Sequence, residues 1–324
     1  MLKEVLERAE EAGIPGGEVV LGEGGREVFY SSYGYKTLIP DPLPWKKGLY
    51  LDLASITKPL VTAHLVLWLA QQGELSPGDE IRKFFPEAPW NPTLLELATH
   101  TSGLPPWVPL YRRGPGRKTM TEELFSLRPG ERGTVKYSCM GYFLLGLVVE
   151  RITSRRLGEF AREFFQKRGM DLRMGKAFPA VPTEMGNQYE KAMAPDARVK
   201  FRDYLIEGEV HDGNSFYWGG DGGNAGAFSR AGEILKYPLL FEELGEMKEL
   251  AQFPLKGIRS FGWETRGRVL LHHGFTGGTI LFSPDKGRVA FLYLNRTHPF
   301  VRKEEVEEPR RLFLKHALGF LKGN

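Results

Sequence analysis

Period-two apolar segments occur at both ends of this chain and not in its middle. That placement constrains the fold more than any other feature. Residues 17–21 and 26–33 alternate around the turn Gly22-Glu23-Gly24-Gly25, the pattern of a β-hairpin. Strand character returns only at 262–264, 268–272, 279–283 and 289–295. From Ser76 to about Lys200 the periodicity is helical, with segments at 93–98, 121–126, 140–152 and 157–169 separated by Pro/Gly loops, and residues 36–48 form a Pro-rich loop. Helices at 1–12 and 303–320 close the two ends. The fold class expected is α/β (α+β): an antiparallel sheet built from both chain ends and flanked by helices, with a mostly helical inserted lobe. The corresponding divisions are 1–75 with 205–324 for the split α/β lobe, and 76–204 for the helical lobe.

Ser55-Ile56-Thr57-Lys58 stands at the head of an apolar segment, 59–70, that reads as a buried helix. Residues three apart share a helix face, so hydroxyl and amine point at one space. Pro59 fits there because the first turn has no intrahelical partner for its missing N–H. The free N–H groups and positive dipole of a helix start favour an anion developing beside the serine. An adjacent lysine stripped of water can hold or take its proton. The plainer alternative makes Ser55 an N-cap and Lys58 a solvated first-turn residue. A second match, Ser283-Pro284-Asp285-Lys286, lies between two apolar runs and reads as a hairpin turn.

Further stretches stand in a fixed order. They are His100-Thr101-Ser102-Gly103-Leu104-Pro105, Tyr137-Ser138-Cys139 running into Gly141-Tyr142, His211-Asp212-Gly213-Asn214, 223–229, Leu271-His272-His273-Gly274-Phe275-Thr276-Gly277, and Asn295-Arg296-Thr297-His298-Pro299. With Ser55 and Lys58 they resemble the serine β-lactamase and penicillin-binding protein superfamily, in its class C-like branch of carboxylesterases and D-amino-acid peptidases. The resemblance runs from about Gly17 to His316. It implies an acyl-enzyme on Ser55, with Lys58 and Tyr137 moving protons. Backbone N–H groups of Ser55 and Phe275 would form an oxyanion hole. His272, Gly274, Cys139 and Arg296 would border the substrate.

The residues themselves add detail. A phenol beside an ammonium ionises more readily, which suits Tyr137 to proton transfer; the alternative is a half-buried aromatic bonded to backbone. Cys139 departs from the family's Tyr-x-Asn. A thiol is a weak donor and acceptor, so a site for acylamino groups loses hydrogen bonds and simple esters are favoured. As a lone cysteine before a helix it reads as a small buried hydrophobe rather than the nucleophile. Adjacent residues on a strand face opposite ways, so His272 faces the cleft and His273 turns away, which also argues against a metal pair. Histidine in place of lysine makes carboxylate recognition weaker or pH-dependent. Gly274 lets substrate lie against its strand. Arg296 meets a substrate carboxylate or, equally, a surface ion pair. His100 braces its loop and His64 its helix. The Gly219–226 run lacks the Gly-Lys-Ser/Thr ending of a phosphate cradle and reads as a tight loop ordered by Asp212 and Asn214.

Composition bounds the remainder. With 44 basic and 40 acidic residues interspersed and a net charge of +4, nothing points to nucleic acid. Residues 1–12 lack the apolar core of a signal peptide, and no run approaches the about 18 apolar residues of a membrane span. The single Cys139 suits a reducing, cytoplasmic setting, with export the alternative if a leader was removed. Scarce Asn and Gln, arginine in excess of lysine and 22 prolines suit a heat-adapted protein. The expectation is a serine hydrolase of small esters, needing no cofactor or metal and taking a small-molecule ester, amide or β-lactam-like substrate. The alternatives are a penicillin-recognising D-alanyl peptidase or β-lactamase-like amide hydrolase, and a non-catalytic relative that binds a ligand in the same cleft.

Overall fold

The computed structural model describes residues 2–323. Among the described residues ten strands form: β1 (Gly16–Glu23), β2 (Arg26–Thr37), β3 (Leu43–Pro44), β4 (Leu51–Asp52), β5 (Leu172–Met174), β6 (Ala227–Ser229), β7 (Glu264–Arg266), β8 (Val269–His273), β9 (Gly278–Ser283) and β10 (Arg288–Leu294). Seven of them make one antiparallel sheet in the order β3-β2-β1-β10-β9-β8-β7. Its seam is the β1–β10 pair, where Val20 lies opposite Phe291. The two chain ends therefore share one sheet, as the distribution of alternating segments requires.

The pleat sorts neighbouring residues to opposite faces. Val19, Leu21, Leu281, Ala290 and Leu292 pack on one side, under Val5 and Leu6 of the helix Leu2–Glu11 and Phe313 and Ala317 of the helix Glu307–Lys322. Val20, Ile280, Phe282, Val289 and Phe291 pack on the other, joining a larger core with Leu60, Val61 and Leu65 and with the helix Cys139–Thr153. Burial on both faces explains why β9 and β10 read as nearly continuous apolar runs.

Several expectations are corrected. Residue 1, where the first helix was expected to begin, lies outside the described residues. The loop expected at 36–48 is partly strand: β2 extends to Thr37 and β3 pairs with it. A second sheet, β4-β6-β5, was not anticipated, and β5 falls in the stretch read as helical segments separated by loops. Strands of two or three residues carry no periodicity to read. The closing helix begins at Glu307 rather than 303. Pro309 sits in its first turn, where no N–H is needed.

The chain from the Ser55 turn through the segment read as one helix from Pro59 is wound three ways. A 3₁₀ turn spans Ala54–Ile56, a π turn Lys58–Ala63, and an α-helix His64–Gln71. π turns inside helices are rare and often mark functional positions.

Candidate active site

Ser55 does not cap its turn through its side chain; it lies within the 3₁₀ turn. Just before it, Ala54 holds φ +45°, a conformation that costs a non-glycine residue about 1–3 kcal/mol and must be held by its surroundings. Asp52 supplies that restraint. Its buried carboxylate accepts the Ala54 N–H at 2.8 Å through one oxygen and the His211 N–H at 2.7 Å through the other. Its carbonyl accepts the Thr276 hydroxyl at 2.6 Å. The turn bearing Ser55, the His211 loop and the loop after β8 are thereby tied at one residue. Burial pushes the Asp52 carboxyl up, while the His211 and Ala54 amides pull it back.

Lys58 is fully buried rather than solvated. Its Nζ donates to Ser55 Oγ at 2.9 Å and to the Asn224 carbonyl at 2.9 Å. It lies 5.2 Å from the centre of the Tyr137 ring and 5.9 Å from that of Tyr142. Burial opposes the Lys58 charge, but the surrounding Cys139, Tyr137 and Asp212 outweigh it and hold the pKa above the ordinary lysine range. The loop 219–226 borders the site through that Asn224 carbonyl. Gly223 in this loop has φ +78°, and a Cβ there would stand 2.4 Å from the Tyr142 carbonyl oxygen. Only glycine lets the loop lie this close to the helix Cys139–Thr153.

Ser55, Tyr137, Cys139 and Phe275 line one cavity of about 250 Å³, together with residues the sequence reading did not single out, Tyr189, Glu190 and Met193 among them. A larger depression of about 580 Å³ lies between Arg266–Val269 and Leu318–Lys322 and contains none of the candidate residues. Cys139 is the first residue of its helix, behind the N-cap Ser138, whose Oγ accepts the Gly141 N–H. Burial raises the Cys139 thiol pKa, so it stays protonated, a poor state for a nucleophile.

The two histidines diverge as strand alternation requires. His272 is buried, with its ring 6.1 Å from that of Tyr137, while His273 bonds Thr279 Oγ1 at 3.0 Å. Burial, with Lys58 and Arg259 nearby, holds His272 well below the usual histidine range. The expected titration near neutrality is therefore absent: His272 is neutral throughout that range. It lines a second, smaller cavity of about 110 Å³ beside Tyr137, with Arg259, Glu264 and His273. Arg259 was missed because its loop belongs to no recognisable motif.

Gly274 also answers to a packing constraint. A Cβ there would sit 2.6 Å from the Leu53 carbonyl oxygen, so the close approach is to the Ser55 turn. Arg296 forms no ion pair among the described residues. It is buried at 6 % exposure, with its guanidinium 4.8 Å above the Phe275 ring, and burial lowers its pKa to about 10. The Phe275 ring also stacks on His211 at 5.6 Å and lies 5.3 Å from the ring of Tyr189. His100 accepts the Ser138 N–H at 3.0 Å and lies 4.5 Å from the Tyr137 ring, bracing that loop. His64 packs among Phe164, Phe165 and Tyr237, a core histidine. Asp212 caps the helix Gly213–Trp218, and Asn214 bonds the backbone of Val108 and Leu110.

Comparison with known proteins identifies the family. The profile of the family described as Beta-lactamase matches residues 2–314. The N-acetylmuramyl-L-alanine amidase of Bacillus subtilis (strain 168) is 24% identical over 367 aligned positions, covering 93% of this chain and 82% of that protein. Among solved structures, EstCE1, described as a hydrolase with promiscuous acyltransferase activity, superposes with TM-score 0.74 at 16% identity over 98% of this chain and 97% of that one. The D-amino acid amidase of Ochrobactrum anthropi SV3 superposes with TM-score 0.73 at 19% identity, again over 98% and 97%. Strand order, buried lysine and matched profile converge: the chain belongs to the Beta-lactamase family of serine hydrolases.

Proposed function

We propose that this protein hydrolyses small carboxylic esters through an acyl-enzyme on Ser55. The observation that carries this reading is the fully buried Lys58 ammonium 2.9 Å from Ser55 Oγ, at a cavity with room for a small acyl group. Ser55 Oγ attacks the carbonyl carbon and its proton passes to Tyr137 or Lys58. The oxyanion is held by the backbone N–H groups of Ser55 and Phe275. Collapse expels the alcohol, which takes the proton back, and water then cleaves the acyl-enzyme to release the acid. Lys58 and Tyr137 share the transfer of that proton between them. Cys139 in the cavity wall supports esters over acylamino substrates, because a thiol cannot replace an amide's paired donor and acceptor.

A fluorophosphonate probe read by mass spectrometry tests the mechanism. One label at Ser55, lost together with ester hydrolysis in Ser55→Ala, is the expected result. Labelling elsewhere, or activity retained in that variant, would refute it. The amide-hydrolase reading, which the amidases among the related proteins favour, predicts stoichiometric labelling by a fluorescent penicillin as well.

A further inference from the structure

His211 borders the Ser55 cavity, and the acylation chemistry above leaves it unused. Every polar atom of it but one is committed. Its N–H donates to Asp52 at 2.7 Å, and its carbonyl accepts the Asn187 amide at 3.2 Å and the Arg202 guanidinium at 2.7 Å. Its Nε2 lies 2.8 Å from the Glu184 carboxylate, whose other oxygen accepts the Tyr189 N–H at 2.9 Å. Both side chains are buried. A carboxylate accepts, so Nε2 carries the hydrogen and the lone pair of the neutral ring lies on Nδ1. Nδ1 has no partner among the described residues, yet it is not sealed off as His272 Nε2 is: water in the cavity reaches it. The ring stacks on Phe275 with the two planes 25° apart. The two oxygens of Asp52 hold the Ala54 and His211 N–H groups, which keeps His211 beside the Ser55 turn. Lys58, by contrast, is bonded to Ser55 Oγ and the Asn224 carbonyl, a placement that serves the serine rather than an incoming water.

We propose that His211 is the general base for deacylation, taking a proton from the hydrolytic water through Nδ1, and that Glu184 is its positioning residue, fixing the tautomer and supporting the imidazolium that forms. The water O–H bond breaks, its proton goes to Nδ1, and the oxygen adds to the acyl carbon. The bond from that carbon to Ser55 Oγ then breaks, and Oγ takes a proton from the Lys58–Tyr137 pair. The acid leaves, His211 releases its proton to solvent, and the pair recovers one from it. This rests on the acyl-enzyme reading above and adds a residue for its second half.

The test follows p-nitrophenyl acetate in rapid-mixing and steady-state kinetics, with intact-protein mass spectrometry of the acyl-enzyme. In His211→Gln, whose amide can still donate to Glu184, the burst of nitrophenol should survive while deacylation slows about 10²–10⁴-fold and an acetyl group accumulates on Ser55. Hydroxylamine, a nucleophile that needs no base, should restore turnover in that variant. Glu184→Gln should slow the same step and leave the burst intact, a split that general loss of structure would not produce. Unchanged deacylation in either folded variant, or burst and steady state falling together, overturns the proposal. So does wild-type deacylation at equal rates in H₂O and D₂O, a measurement that stands even if neither variant folds. No burst together with no fluorophosphonate label at Ser55 overturns the acyl-enzyme reading, and this proposal with it.

Discussion

Asp52 binds the Ala54 N–H at 2.8 Å and thereby holds the residue before Ser55 at φ +45°. The same carboxylate takes the His211 N–H, so it sets the nucleophile's turn against the loop that carries Asp212. Asp52→Asn keeps one acceptor but turns an NH₂ toward one of two backbone donors. A buried donor left unpaired costs about 1–3 kcal/mol. The variant should melt at a lower temperature and acylate more slowly than its stability loss explains, since Ala54 is no longer restrained. Melting curves and fluorophosphonate labelling rates measured together check this; an unchanged labelling rate in a destabilised variant would limit Asp52 to a structural role.

Proton transfer and binding separate at Tyr137 and Lys58. Tyr137→Phe removes only the hydroxyl, and Lys58→Met removes the buried charge while keeping most of its volume. If both groups serve proton transfer, each should lower kcat by about 10²–10⁴-fold with KM little changed. Burst and steady-state kinetics on one ester provide the readout. A loss confined to KM would reassign both residues to positioning.

Acid should destabilise this protein through its buried histidines. Burial holds His64 and His273 at a pKa of about 3, and His100 and His272 well below the usual value. Their folded pKa values are depressed, so the unfolded chain binds protons that the folded chain refuses. Stability is therefore complete above about pH 6.5 and is lost as pH falls toward 3, by up to about 1.4 kcal/mol per histidine per pH unit. Melting temperature against pH should fall below 6.5, and His64→Phe, which removes one such group from an aromatic pocket, should flatten the slope. An unaltered slope would place the acid sensitivity elsewhere.

Much of this was legible in the chain. The seam between β1 and β10 follows from alternating segments at both ends, because a period of two cannot be satisfied by a buried helix. The contact of Ser55 with Lys58 follows from their spacing of three. What was not legible depends on tertiary approach. Asp52 occupies a two-residue strand with no pattern of its own, and Arg259 lies in an irregular loop. Glu190 and Tyr189 reach the cavity from the helix Gln188–Met193, which is distant in sequence from every motif. The packing constraint on Gly274 was not legible because its neighbour, the Leu53 carbonyl, belongs to a segment more than two hundred residues away.

Cys139 offers the sharpest test of selectivity. It lines the Ser55 cavity at the start of the helix Cys139–Thr153, near Lys58 and Asn224. Cys139→Asn puts a donor and an acceptor where an acylamino substrate would pass. It should raise acylation by a penicillin relative to a simple ester of similar size. One recovered hydrogen bond, about 0.5–1.5 kcal/mol, implies roughly a 2- to 13-fold change in that ratio. The side chain is only partly buried, so the new amide keeps access to water in the cavity and the fold should tolerate it. Measuring kcat/KM for one ester and one β-lactam in both proteins, with their melting temperatures, gives the outcome. A lower melting temperature with slower turnover of both substrates would mean that the amide is trapped without partners. An unchanged ratio in a stable variant would move selectivity from Cys139 to the aromatic wall formed by Trp107 and Tyr189.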